Sequence, residues 1–125
     1  MNKINIEIWG RNFKLPLSIK TFDGKQPTDI QHQAIESFMQ SQKAIDGSQE
    51  NVEKYILENS VDENNIDKVD NIFKYVMPKC IYVPKDKNRV IAILCYYKFD
   101  MEHGLSVVFE NEKFKSVGSE DEILW

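Results

Sequence analysis

The segment Val90–Tyr97, VIAILCYY, constrains this chain more than any other stretch. It is an unbroken apolar run, so as a strand it has no polar face to turn to water. Such a strand belongs in the interior of a sheet, with neighbours along both edges and material packed on both faces. The run cannot cross a bilayer, because a spanning helix needs about 20 apolar residues.

The flanking sequence supplies the neighbours. In the first twenty residues Ile4, Ile6 and Ile8 share one face of a strand, and Phe13, Leu15, Leu17 and Ile19 share one face of the next. Gly10 with Arg11 and Asn12 is read as the tight turn of that hairpin. Pro16 cannot donate to a ladder, which places the second strand at an edge or leaves that position facing outward. Towards the C-terminus, CIYV is a strand, PKDKN a turn, and GLSVVFE and KFKSVG are two further strands joined by NEK, Asn111–Lys113.

The middle reads as helical. Thr28 is an N-cap, and Gln31 completes a capping box. Ile30, Ala34, Ile35, Phe38 and Met39 then recur at helical spacing, giving an amphipathic helix from Asp29 to about Ala44. Asp46–Ser48 is read as a break, with Ser48 capping a second helix that carries Val52, Tyr55 and Ile56. A third helix is expected on Ile66, Val69, Ile72, Phe73 and Val76, ended by Pro78. The order is thus β-β-α-α-(α)-β-β-β-β. It predicts one α+β domain over residues 1–125, with an antiparallel sheet of five or six strands and two or three helices on one face.

Composition narrows the function classes. The fractions of 42% hydrophobic and 29% charged residues are those of a globular protein. Net charge is −4, and of 16 basic residues only Arg11 and Arg89 are arginine. With no basic cluster interleaved with aromatics, nucleic acid is not expected as a partner. The N-terminus MNKINIEIWG interleaves polar residues with its isoleucines and lacks the apolar core of a signal peptide. The chain is therefore read as complete and cytoplasmic, without membrane association. Cys80 and Cys95 both lie in apolar stretches outside any CxxC spacing, and are expected as reduced core residues.

The residues with chemical potential are few. Asp100, Glu102 and His103 fall together in KFDMEHGLSVVFE, directly before Gly104. A histidine among carboxylates has a raised pKa and is able to move protons. The same residues are also ordinary hairpin-turn chemistry, because Asp caps local amides and Gly permits positive φ. The hairpin is the preferred reading, with no catalytic, metal or cofactor residues assigned; Asp100, Glu102 and His103 remain the alternative site of an enzyme. Asp62–Asp70 superficially resembles a calcium loop. Its sixth and twelfth positions are Asp67 and Phe73 rather than glycine and glutamate, so the pattern fails and a solvated helix entrance is expected. Tyr82, Tyr96, Tyr97, Phe99, Phe109 and Phe114 gather on the C-terminal strands. Those not turned towards the helices need cover from the tail or from a partner. Tyr82, Tyr96, Tyr97 and Phe99, with Glu120 and Asp121 of the acidic tail, are accordingly the candidate partner contacts.

IWGRNFKLPL, MPKCIYVP and the C-terminal RVIAILCYYKFDMEHGLSVVFENEKFKSVGSEDEIL together resemble an uncharacterised family of small bacterial domains, a domain of unknown function. Its members end in a similar strand–EHGL–strand–VG–acidic pattern, here DxEHGLxVxF. The resemblance brings no catalytic residues to this chain. The general build is similar to that of immunity proteins, which neutralise toxins by binding them. The functional expectation is a non-catalytic protein-binding module whose partner is a basic toxin, another protein or a second copy of itself. The alternative is a small hydrolase or isomerase using acidic residues and His103.

Overall fold

The computed structural model describes residues 3–59 and 68–123. Six strands form one sheet in the order β1-β2-β3-β4-β5-β6: Lys3–Ile8, Arg11–Ile19, Val76–Val83, Val90–Tyr97, Leu105–Glu110 and Lys113–Gly118. Helices α1 (Asp29–Met39) and α2 (Gln42–Glu58) intervene between β2 and β3. The fold is α+β, and the sheet is mostly antiparallel.

The expectation of a wholly antiparallel sheet is corrected at one place, because β2 and β3 pair in parallel through Leu17–Ile81, Ser18–Tyr82 and Ile19–Val83. The helical segment between them returns the chain to the end where β2 began, and a crossover of that kind produces parallel neighbours. Consequently β2 is not an edge strand. Pro16 is opposite Lys3 of β1, one residue before the pairing with β3 starts.

β4 is the strand its sequence requires, with every residue buried except Tyr96. Ile91, Ile93, Cys95 and Tyr97 join Phe109 and Leu105 beneath the helices, where Ala34 and Phe38 of α1 and Ile45, Val52 and Ile56 of α2 meet them. Val90, Ala92 and Leu94 face the other way, into a smaller cluster with Tyr82, Val108 and Ile123. Cys95 belongs to the first cluster and Cys80 packs against the second, so the two thiols lie on opposite faces and both are free. Burial pushes both thiols above their ordinary pKa.

Three local expectations are revised. The first turn is Trp9–Gly10, both at positive φ, and not Gly10–Asn12. Two left-handed residues match the twist of a two-residue hairpin, and they carry Trp9 into the core. The break between the helices falls at Gln40–Ser41 and not at Asp46–Ser48. Ser48 is fully buried inside α2, where its hydroxyl accepts from Trp9 Nε1 at 3.0 Å and donates to the Ile45 carbonyl. With both roles satisfied inside the helix, it has no need to cap one.

The third helix is not formed where it is described. Ile72–Lys74 is a single turn of 3-10 helix, and Val76, Met77 and Pro78 already belong to β3. Burial of Val76 opposite Tyr97 outweighs the helical spacing. Ile66, and Asp62–Asp67 of the calcium-like stretch, lie outside the described residues. At the other end of the crossover, Thr28 and Gln31 form both bonds of the expected capping box. The buried Gln31 amide also donates to the carbonyls of Lys20 and Pro84, tying two loops to the start of α1.

Candidate functional site

The acid–histidine turn joins β4 to β5. Asp100 accepts from the His103 backbone amide at 3.2 Å, and its carboxylate meets His103 Nδ1 at 3.0 and 3.1 Å. Gly104 has φ +63° and donates to the Asp100 carbonyl, closing the turn as the residue types foretold. His103 Nε2 points towards Asp121, 3.9 Å away in the C-terminal segment. The imidazole is held above its ordinary pKa, first by its bond to Asp100 and also by the charges of Asp100, Glu102 and Asp121. Asp100 is held below the usual carboxylate range, first by the amide of His103. Glu102 stands exposed beside them. Among the described residues, no three His, Cys, Asp or Glu side chains converge in a group able to hold a metal ion.

The C-terminal segment is pinned to this turn. The Glu120 amide donates to the His103 carbonyl at 3.0 Å, and Ser106 Oγ donates to the Ser119 carbonyl at 3.1 Å. The Glu120 carboxylate, only 13% exposed, forms an ion pair with Lys79 Nζ at 2.8 Å. Lys79 is available there because the β3–β4 register slips between Pro78 and Cys80, giving β3 one extra residue. The Lys79 ammonium also lies 4.8 Å from the centre of the Tyr96 ring.

The expected aromatic surface divides. Tyr82 and Tyr97 are 6% and 3% exposed and belong to the two core clusters. Phe99 packs half-buried between Tyr75 and Tyr97. Tyr97 hydroxyl is buried without a hydrogen-bond partner among the described residues. Burial, with Tyr55 and Asp100 nearby, pushes its pKa up to about 12. Tyr96 is different, at 51% exposed, and Asp121 is exposed as well.

Beside Tyr96 lies an open groove of about 250 Å³. Tyr75, Met77, Tyr96 and Met101 line it together with Phe73, and Lys74 and Lys98 stand on it too. Met77 pairs with Tyr96 across β3 and β4, and the Lys98 amide donates to the Tyr75 carbonyl, so the groove is built on the end of that ladder. Met101, 65% exposed, projects from the turn that carries Asp100 and His103. Sequence reasoning found Tyr96 but missed Met77, Met101 and Tyr75. Met101 was readable as an apolar residue inside a polar turn, whereas Tyr75 and Met77 were absorbed into a helix that is not formed among the described residues.

No helix of the described residues is long and apolar enough to cross a membrane. No curated protein and no solved structure matches the chain. Residues 1–124 match the model of one family, described as a domain of unknown function (DUF6985), and the chain belongs to that family.

Proposed function

We propose that this protein is a non-catalytic protein-binding module that engages its partner through the end of the sheet bearing Tyr96 and Met101. The observation that carries this reading is the open groove, where two large apolar side chains stand 51% and 65% exposed beside Met77 and Tyr75. Tyrosine buries much area at little entropic cost, and the flexible thioethers of methionine adapt to the surface they meet. In its sharper form the module is of the immunity type and neutralises a bacterial toxin by direct binding. The net charge of −4 and exposed Asp121 would then steer a partner that is basic overall, whatever the charge of the segment that enters the groove. A second copy of the chain is the competing partner.

The alternative, a small hydrolase or isomerase, has one observation in its favour: an accessible imidazole oriented by Asp100 and flanked by Glu102 and Asp121. Tagged wild-type protein and a Tyr96→Asp, Met101→Asp double variant, recovered after cross-linking in the native host, distinguish the two. A protein partner held by the wild type and lost from a folded double variant is the expected outcome. Identical recoveries from both, or a His103-dependent turnover with no partner, would overturn the binding reading.

A further inference from the structure

We infer that the groove receives an acidic peptide segment, an apolar side chain flanked by aspartate or glutamate. This inference rests on the protein-binding reading above and specifies the chemistry of what is bound. Three of the rings that line the groove each carry a cation against their face. Arg11 lies 4.2 Å from the centre of Phe73, Lys98 5.7 Å from that of Tyr75, and Lys79 4.8 Å from that of Tyr96. Lys74 lines the same groove.

Of these four cations only Lys79 has a carboxylate within ion-pairing distance among the described residues, its partner being Glu120. A chain of net charge −4 thus places two cations without an ion-pair partner among the described residues, Lys74 and Lys98, on one apolar floor. The local field runs opposite to the charge of the molecule, and at close range the local field decides register. A basic side chain entering the groove finds Lys98 already against the Tyr75 ring and Lys79 against the Tyr96 ring, and meets like charge. An acidic one gains Lys74 and Lys98 while its apolar neighbour covers Tyr96 and Met101. Asp100 and Glu102 are the sequence neighbours of Met101, and neither lines the groove; the Asp100 carboxylate is engaged by His103.

The test uses two short synthetic peptides, one with phenylalanine between pairs of aspartates and one with phenylalanine between pairs of lysines. Each is titrated into isotopically labelled protein while the backbone amide signals are followed. The aspartate peptide is expected to shift Tyr75, Met77, Tyr96 and Met101, more weakly as salt is added. Lys74→Glu with Lys98→Glu is expected to reduce its affinity about tenfold or more. If the lysine peptide binds at the same residues equally well, the binding reading stands and the acidic specificity falls. If the aspartate peptide leaves these signals unmoved, or the groove signals instead shift with protein concentration alone, the inference is overturned and the groove belongs to another occupant.

Discussion

Gly104→Ala tests the claim that the acid–histidine turn is a structural junction. Two costs are separable there. The first is conformational, because Gly104 sits at φ +63° and an L-residue in that region costs about 1–2 kcal/mol. The second is contact. A Cβ on Gly104 would lie 2.9 Å from the Cys95 carbonyl oxygen and 2.7 Å from Glu120 Cδ. The first neighbour is backbone of the most buried strand, and the second is the carboxylate that Lys79 holds, so neither yields easily. Overpacking of that kind adds about 1–3 kcal/mol. The sum is about 2–5 kcal/mol, a large part of the stability of an ordinary domain.

Gly10→Ala provides the control. Gly10 also has positive φ, +84°, but its Cβ would meet nothing within 4 Å, so that variant carries only the conformational cost. Urea unfolding followed by tryptophan fluorescence, at unchanged m-value, gives both numbers. Gly104→Ala should unfold at clearly lower urea than Gly10→Ala, the difference being the contact cost of about 1–3 kcal/mol. Equal midpoints for the two variants would refute the packing of the C-terminal segment on this turn.

Ser48→Ala leaves the buried Trp9 Nε1–H without its acceptor and should cost about 1–3 kcal/mol in the same urea assay. Lys79→Ala removes the counter-charge of a carboxylate that is 13% exposed; its own 29% exposure tempers the loss, which should be about 1–2 kcal/mol and should disappear in Lys79→Ala, Glu120→Gln. The Asp100–His103 pair sets a pH window. The raised imidazole pKa stabilises the fold fully below about pH 6.5 and loses that contribution as pH rises through the folded value. The lowered carboxyl pKa contributes above about pH 4 and is lost as pH falls through its folded value. Stability should therefore fall on both sides of mildly acidic pH, and His103→Ala should remove the alkaline slope in a series of thermal melts.

The sheet was legible wherever burial imposed a simple period. VIAILCYY gave a central strand because no other placement covers both of its faces, and the Thr28–Gln31 capping box is a local signal that tertiary packing did not disturb. The errors share a cause. Asp46–Ser48 carries turn residues, but a partner 39 positions away, Trp9, satisfies Ser48 inside a helix. Ile72, Phe73 and Val76 have helical spacing, but pairing of Val76 with Tyr97 decides their conformation. The same long-range pairing hid the groove, because Tyr75 and Met77 acquire an outward face only once β3 begins at Val76. Which aromatic residue faced solvent was a question of register, and Tyr96 is set apart from Tyr97 by a single step along a pleated strand.

Asp100, His103 and Gly104, in the stretch that most resembles an active site, also build a junction. Asp100 holds the His103 amide, Gly104 supplies the left-handed step, and the His103 carbonyl receives the Glu120 amide. Gly118 belongs to the same junction, since a Cβ there would overlap the Glu122 carboxylate. Glu122 is the exposed end of a flexible side chain, so it can swing away, and Gly118 needs no positive φ. Gly118→Ala should accordingly cost far less than Gly104→Ala, although its nominal overlap is the greater. The ranking follows from what stands in the way, a solvent-facing carboxylate in one case and the backbone of β4 in the other. A cost for Gly118→Ala equal to that of Gly104→Ala, in the urea assay, would mean that the C-terminal segment is held rigidly by contacts other than those at the turn. The junction would then extend over the outer face of the sheet, and the acid–histidine turn would be one anchor among several.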